Sequence, residues 1–344
     1  MHSPIATIFI PTYKRPHLVG RAIQSALAQT CRNIQVIVLD NASNDSTREV
    51  VAELKLNDPR IQYVCHKENV GMLSNYQYGF DHVETEYFSF LSDDDILLPN
   101  FIEESLEGMN KYPDVAFFAT STKIYSDAGK LLAEPLANWS REGLYMPPLS
   151  LYQMISQYPV PDTVMFRKKC LTDISIDFEN PVFWDCDFLM QIAAKYPIAI
   201  SKTQCGIFNL HSQSFSFLLE KQQVPAFQRL IERINSFPFL SNDEKQIAVS
   251  KVNLWYFKFC HNLFFRLMLK MNFNEAKEVL IHLDSEFEPT YKTIPLKVCY
   301  FLTSKFPGFT VVLKLLKIMR NLIYDIQKAA SRWVIFNRFK SDRR

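Results

Sequence analysis

Short apolar runs alternate with longer amphipathic segments over the first 120 residues, and this alternation limits the possible folds more than any other feature of the chain. The apolar runs are typical of buried strands, the first of them ending at Pro11, and they lie at residues 5–10, 34–39, 61–65, 87–91 and 115–120. The segments between them have the spacing of helices and lie at residues 15–29, 46–56, 72–80 and 99–111. Strands and helices of these lengths predict an α/β fold on a mostly parallel sheet with right-handed crossovers.

Polar residues follow directly after three of the predicted strands. They are Pro11-Thr12-Tyr13, Asp40 and the acidic run 93–95. Ligands of open α/β sheets bind at the carboxyl ends of the strands, so these residues should meet at one edge of the sheet. The sequence therefore predicts a single binding site there.

The acidic run Asp93, Asp94 and Asp95 ends the apolar strand at residues 87–91. Three adjacent carboxylates repel one another, and a hard divalent cation such as Mg²⁺ or Mn²⁺ would offset that repulsion. The alternative is an acidic turn that caps the helix starting near Pro99. The convergence with other strand ends favours the metal. The chain has neither GxGxxG after the first strand nor GxxxxGK[ST], so bound phosphates would depend on such a cation.

Four segments in order resemble a known family: FIPTYKRPHLVGRAIQSALAQT, VIVLDNASNDST, ENVG and FLSDDDILLP. They are similar to the N-terminal half of the inverting glycosyltransferases of family 2. The resemblance covers about residues 5–125, and more weakly residues 160–217. It implies a GT-A fold, which is a Rossmann-like, mostly parallel sheet with flanking helices. It also implies transfer of a sugar from a nucleotide sugar, usually UDP-linked, with Mn²⁺ or Mg²⁺ as cofactor.

The resemblance assigns seven residues to the nucleotide-sugar donor: Pro11, Thr12, Tyr13, Asp40, Asn69, Gly71 and Asp93. Asp40 would read the edge of the base, since a carboxylate can accept the imide N–H of uracil. Two alternatives stay open. Asp40 could instead form an Asx turn onto Ala42 or Ser43, and Asn69 could belong to an ordinary loop.

The resemblance also implies a metal site and a catalytic base. Asp94, Asp95 and His211 belong to the metal site, with Asp94 as ligand, Asp95 orienting its neighbour and His211 completing the coordination. Ser92 stands where the family usually has an acid, which leaves the roles of the three aspartates open. Asp185 matches the general base at a helix start, although it could be only a helix cap.

The neighbours of Asp185 differ in how well they fit that family. Trp184 replaces the usual glutamate, and Asp187 matches a position that braces the same helix.

Two alternative functions stay open: a nucleotidyltransferase, for which Lys14 and Arg15 would hold phosphates, and a non-catalytic membrane-associated scaffold. The absence of glycine after the first strand disfavours the former, and the intact set of acidic residues argues against the latter.

The strand–helix alternation stops from about Val224 onward. We expect a GT-A domain at residues 1–220, with a nucleotide-sugar half (1–125) and an acceptor half (126–220), followed by a helical region at 221–344. From Lys305 onward the net charge is +8, against −6 for the rest of the chain. The tail from about residue 308 combines this basic character with an apolar stripe.

Such a tail is typical of a helix lying on an anionic membrane. Nucleic acid is disfavoured as a partner because its binding needs no apolar stripe. Packing on the body is the remaining alternative. With scattered cysteines, no signal peptide and no long apolar span, we expect a cytoplasmic protein on the inner face of the membrane, acting on a glycan or lipid-linked glycan acceptor.

Overall fold

The computed structural model describes residues 3–210, 223–270 and 272–287, together with residues 296, 297 and 300. His211 and the tail from about residue 308 lie outside the described residues, so both assignments remain predictions. The chain divides into two compact units, Met1–Val252 and Asn253–Arg344. The first unit carries the predicted site.

In the part of the first unit that the structure describes, ten strands form one central sheet. The strands are β1 Ala6–Thr12, β2 Ile34–Asp40, β3 Ile61–Cys65, β4 Tyr87–Phe90, β5 Ile96–Leu97, β6 Phe117–Ser126, β7 Leu131–Ala133, β8 Gly143–Tyr145, β9 Val164–Arg167 and β10 Ile198–Leu210. The order across the sheet is β3-β2-β1-β4-β9-β6-β10-β5, with β7 pairing β6 and β8 pairing β10.

The long strands run in one direction, β9 is inserted among them in the opposite direction, and the short strands β5, β7 and β8 are also antiparallel to their neighbours. β3, β2, β1 and β4 are parallel neighbours, and β10 is parallel to β6. β9 lies between β4 and β6 and is antiparallel to both. The expected mostly parallel sheet with flanking helices is therefore confirmed, and the inserted strand brings its amino end to the edge where β4 ends.

Helices flank the sheet and continue after it. They are α1 Pro16–Leu27, α2 Thr47–Asn57, α3 Met72–Asp81, α4 Phe101–Lys111, α5 Leu149–Ser156, α6 Trp184–Lys195, α7 Gln223–Ser236, α8 Asn242–Leu269 and α9 Phe273–Phe287. The expected helical region after the sheet is present. No helix in the described ranges is long and apolar enough to cross a membrane.

Helix α1 shows how the sequence places these helices. Pro16 begins it, where the missing N–H costs no intrahelical bond. Val19, Ala22, Ile23 and Ala26 form one face and are fully buried in the core with the aliphatic side chains of the parallel strands. This packing fixes the start of α1, and hence Arg15, close to the carboxyl end of β1.

The first strand is longer than the sequence pattern predicts. β1 continues through Pro11 to Thr12, and Pro11 pairs in register with Leu39 and Thr12 with Asp40. The prediction that Pro11 ends the strand is therefore wrong. Proline removes only one donor, and Asn41 still donates its N–H to the Thr12 carbonyl at 3.0 Å. This extension carries Thr12 into the site.

Candidate functional site

A cleft of about 380 Å³ lies where β1 and β4 end. It is lined by residues 11–13 and by Arg15, Asn41, Asn69, Met72, Asn75, Tyr76, Phe90, Ser92, Asp93, Asp94, Pro161, Asp162, Pro181, Val182, Trp184, Asp185 and Phe208. The fold thus brings together most of the site residues expected from the sequence. Among the described ones, Asp40, Gly71 and Asp95 do not line the cleft.

Hydrogen bonds join the loops that follow β1 and β2. Ser43 accepts the Lys14 N–H through its Oγ at 2.8 Å, and Lys14 has a φ of +56°. A non-glycine residue rarely adopts this conformation, so the loop is held by its neighbours. The turn directs the chain from Thr12 into Arg15 and α1.

Asp93 and Asp94 share one cationic partner. Arg15 donates from Nη1 to Asp93 Oδ1 and to Asp94 Oδ2, at 2.9 Å each. Thr12 Oγ1 donates to the other oxygen of Asp93 at 2.7 Å. Burial raises the pKa of Asp93, with Arg15 opposing that rise. Burial also disfavours the charged guanidinium, but attraction to the two aspartates outweighs it and raises the pKa of Arg15.

Asp95 has a different environment from the two aspartates before it. It is buried, and Oδ1 accepts the Asn209 N–H at 2.8 Å. Its Oδ2 is buried without a hydrogen-bond partner. Burial, with further repulsion from Asp162, raises its pKa well above the ordinary value. Asn209 Nδ2 also donates to the Asp94 carbonyl, so Asp95 and Asn209 together fix the backbone of the acidic run.

Asp40 is buried and its carboxylate has internal partners. Oδ1 accepts from the N–H and the hydroxyl of Ser43, at 2.9 and 2.5 Å. Oδ2 accepts from the Tyr63 hydroxyl at 2.5 Å. This is the Asx-turn alternative that the sequence left open. Contact between Asp40 and a nucleotide base stays a prediction, since Asp40 is buried and does not line the cleft.

Asn69 belongs to a turn that borders the cleft. Its Oδ1 accepts from Asn41 Nδ2 at 3.0 Å and from the Gly71 N–H at 2.9 Å. Gly71 has a φ of +86° directly before α3, a conformation that suits glycine. A side-chain hydrogen bond with Asn69 lowers the pKa of the exposed Tyr13. The structure therefore brings Asn69 and Tyr13 together on one rim, while Gly71 shapes the turn.

Asp162 is a cleft residue that the sequence interpretation missed. It is buried, and its Oδ1 accepts the N–H of Ser92, the residue before the acidic run. Burial raises its pKa to about 6. Asp162 precedes β9, and only the antiparallel direction of β9 places that strand start beside the end of β4. A single sequence carries no signal for that direction.

Asp185 lies in the first turn of α6 and lines the cleft. Its Oδ1 accepts the Cys186 N–H at 2.7 Å. Burial raises the pKa of Asp185 to about 6, and the backbone hydrogen bond only partly opposes this. A carboxylate with a pKa near neutrality at a ligand cleft is suited to accept a proton.

Asp187 braces α6, as the resemblance implied. Gln191 Nε2 donates to Asp187 Oδ2 at 2.8 Å, and Arg233 Nε of α7 lies 3.4 Å from the same oxygen. Burial raises the pKa of Asp187 to about 6, with Arg233 opposing. Because Asp187 is buried and does not line the cleft, it joins two helices at the wall of the site.

Aromatic side chains separate the acidic run from Asp185. The ring of Tyr76 lies 4.9 Å from that of Phe90 and 4.4 Å from that of Trp184. These rings continue from the end of β4 to the first residue of α6. Phe208 adds a further aromatic side chain to the lining. The cleft therefore has an apolar surface between its two groups of carboxylates.

The donor set fits a hard divalent cation that shares its coordination with a substrate. In the described part of the chain, no three histidine, cysteine, aspartate or glutamate side chains gather into a metal site. Mg²⁺ and Mn²⁺ commonly use one or two carboxylates together with substrate phosphates. Asp93 Oδ1 and Asp94 Oδ2 already converge on one cationic atom, Arg15 Nη1, so these two oxygens fit that requirement.

Comparison with known proteins matches the part of the chain that contributes most residues to the cleft. Residues 7–173 match the model of glycosyl transferase family 2. The first curated relatives are uncharacterised glycosyltransferases of Rickettsia; the one from Rickettsia typhi is 33% identical over 188 residues, which is 52% of this chain. The chain spans 15%, 57% and 18% of the lengths of the first three. A GalNAc(5)-diNAcBac-PP-undecaprenol β-1,3-glucosyltransferase of Campylobacter jejuni is 32% identical over 109 residues, which is 31% of this chain and 35% of that protein.

Solved structures share the fold at low sequence identity. TarS residues 1–349 of S. aureus, in complex with UDP-GlcNAc, has a TM-score of 0.65 and 15% identity over 90% of this chain and 87% of its own. The mannosyltransferase PcManGT of Pyrobaculum calidifontis, in complex with GDP-Man and Mn²⁺, has a TM-score of 0.54 and 12% identity, over 92% and 87%. The mostly parallel sheet with its flanking helices is thus of the kind found in these glycosyltransferases.

Proposed function

We propose that the chain is a glycosyltransferase of family 2, whose model residues 7–173 match, and that it transfers a sugar from a nucleotide sugar to a hydroxyl group of a glycan or lipid-linked glycan. The observation that carries this proposal is the single cleft lined by Asp93, Asp94 and Asp185. It combines carboxylates at the strand ends, suited to a cation and a diphosphate, with a carboxylate suited to accept a proton.

In the proposed reaction, Asp185 accepts the proton of the acceptor hydroxyl. The acceptor oxygen forms a bond to the anomeric carbon while the bond from that carbon to the diphosphate oxygen breaks. The bonding electron pair leaves with the nucleoside diphosphate. Attack from the face opposite the leaving group inverts the anomeric centre. The raised pKa of Asp185 suits this role, because a base works best when its pKa lies near the operating pH.

Asp94 and Asp93 would hold Mn²⁺ or Mg²⁺, and Thr12 keeps the Asp93 carboxylate oriented. When bound, the cation neutralises charge on the departing diphosphate. Residues 11–13 and Asn69 line the same cleft, which supports a role in holding the nucleoside. UDP is the proposed nucleotide, in keeping with the TarS complex. Asp95 would act indirectly, because Asp95 and Asn209 together fix the backbone of Asp94.

The proposal includes a more specific statement about the acceptor, namely that the glycan is linked to a lipid. The Campylobacter relative is named for a polyprenol-linked substrate, and the C-terminal tail has the basic and apolar composition of a membrane-surface segment. Sedimentation with anionic vesicles, at low and high salt, tests this part. Removal of residues from about 308 onward should release the protein. Equal binding of the full and shortened chains would contradict the membrane assignment.

Nucleotide binding tests the central proposal. We expect UDP and UDP-linked sugars to raise the melting temperature of the full chain in the presence of Mn²⁺, and to do so much less in EDTA. GDP, GDP-mannose and ATP serve as controls for base and phosphate count. If none of these ligands changes the melting temperature with or without Mn²⁺, the proposed donor site is wrong. A larger effect of ATP would instead support the nucleotidyltransferase alternative.

A further inference from the structure

Arg15 lies where the proposed cation should bind. Its Nη1 atom is 2.9 Å from Asp93 Oδ1 and 2.9 Å from Asp94 Oδ2, and both contacts are ion pairs. Asp93 and Asp94 are largely buried, with side-chain exposures of 6% and 14%, while Arg15 is 31% exposed. The cation that neutralises the two carboxylates in this structure is therefore a side chain of the protein itself.

We propose that Arg15 is an internal counter-cation that competes with the divalent metal for Asp93 and Asp94, so that the metal binds well only together with the nucleotide. The inference rests on the proposed function and goes beyond it, because it concerns the order and coupling of binding. It assigns Arg15 a positioning role, acting through the two carboxylates.

The physical argument begins with the two oxygens. A divalent cation between Asp93 Oδ1 and Asp94 Oδ2 would occupy the position of Arg15 Nη1, since both oxygens are directed at that one atom. A guanidinium and a metal ion cannot share this position, and their charges repel. Metal binding to the empty cleft must therefore break two charge-assisted hydrogen bonds of a half-buried arginine.

A nucleotide changes this balance. Its diphosphate adds negative charge and oxygen ligands to the cleft, and so it offers a partner both to the metal and to the displaced guanidinium. The cost of releasing Arg15 is then offset in the complex of protein, metal and nucleotide, but not in the complex of protein and metal alone. Linkage requires the converse as well: the metal must strengthen nucleotide binding by the same factor.

Arg21 provides a matched control. It lies on α1, is exposed, and reaches only the Asp94 carbonyl, through Nη2 at 3.4 Å. Arg21→Gln removes the same charge from the same helix without emptying the position between the carboxylates. A comparison of Arg15→Gln with Arg21→Gln thus separates competition for the site from a general change in surface potential.

The experiment is a Mn²⁺ titration of the metal-free full chain, followed by the electron paramagnetic resonance signal of free Mn²⁺, with and without UDP. Without UDP, we expect Arg15→Gln to bind Mn²⁺ about tenfold or more tightly than the wild type, and Arg21→Gln to stay within about threefold of it. UDP should improve Mn²⁺ affinity strongly in the wild type and much less in Arg15→Gln. The gain should disappear in the Arg15→Gln/Asp94→Asn double variant.

Several results would overturn the inference. These are an unchanged or weaker Mn²⁺ affinity in Arg15→Gln, an equal gain in Arg21→Gln, or a gain that survives Asp94→Asn. Arg15→Met serves as a second variant in case the glutamine variant does not fold; it also removes the positive charge, so its nucleotide-free affinity for Mn²⁺ should likewise exceed that of the wild type. If the wild type binds Mn²⁺ and UDP cooperatively but Arg15 variants behave like it, only this inference fails. If UDP does not bind under any condition, the donor site itself fails.

Discussion

The two sides of the cleft hold their carboxylates in opposite ways. On one side, which we call the cation side (Thr12, Arg15, Asp93 and Asp94), both aspartates are paired with a guanidinium. On the other, the proton side (Trp184 and Asp185), the aspartate accepts a backbone N–H and lies beside an aromatic residue that also lines the cleft. The aspartates on the cation side are therefore paired with a cation, whereas the main influence on the aspartate of the proton side is burial.

This difference matters because burial raises the pKa of a carboxylate, whereas pairing with a cation lowers it. Arg15 favours the ionised form of Asp93 and opposes the effect of burial. Among the described residues, no cation opposes the effect of burial on Asp185 in this way, and burial raises the pKa of Asp185 to about 6. One side is thus prepared to hold a cation, and the other to take up a proton.

The largest expected effect comes from removing the base on the proton side. Asp185→Asn should lower turnover about 100-fold or more while the affinity for UDP stays close to that of the wild type, because the amide keeps the shape of the carboxylate but accepts no proton. Turnover can be measured as UDP release from the UDP-linked sugar that raises the melting temperature most, and binding by calorimetry. Near-normal turnover in this variant would place the base elsewhere, with Asp162 the next residue to test.

On the cation side, Asp94→Ala should remove most of the Mn²⁺-dependent part of UDP binding, a loss of about tenfold to 100-fold. The fold should persist, because Asp94 lies at a strand end and not in the core. The measurement is UDP affinity in Mn²⁺ and in EDTA. Asp45→Ala, at an exposed loop position outside the cleft, is the control. An unchanged response to Mn²⁺ would contradict the metal assignment.

The pH dependence of turnover tests the proton side without a mutation. The pKa of Asp185 is raised to about 6, and a base must be deprotonated to act, so turnover should rise as pH increases toward 6 and level off above it. One unit below that pKa the ionised fraction, and with it turnover, should fall about tenfold. The acidic limb should be absent in Asp185→Asn. A profile that is flat between pH 5 and 7 would argue against Asp185 as the base.

A smaller effect is expected from the aromatic surface. The Trp184 ring contacts that of Tyr76 and lines the cleft beside Asp185, so Trp184→Ala should weaken acceptor use about 3- to 10-fold, the scale of one lost aromatic contact. UDP affinity should change little. The measurement is the KM for acceptor against the KM for donor, and Trp255→Phe, in the second unit, is the control. A matching loss of donor affinity would place this ring in the donor site.

Much of this site could be predicted from residue order alone. Asp93, Asp94 and residues 11–13 follow apolar runs, and the carboxyl ends of parallel strands meet at one edge. Asp185 was identified through the family resemblance. Asp162 could not be found in this way, because it precedes a strand and enters the cleft only through the antiparallel direction of β9. The role of the Asp40 side chain could not be predicted either, since the same residues are compatible with an Asx turn and with an exposed acid.

The sequence by itself determined the alternation of strands and helices and the positions of the acidic residues along the chain, because periodicity and chain order are local properties. Tertiary structure decided which charges meet. Arg15 precedes the acidic run by 78 residues, and only the packing of α1 against β1 and β5 brings its guanidinium between Asp93 and Asp94. Partners of a charge are set by distance in space, and so the structure alone distinguishes an aspartate that is paired from one that is merely buried.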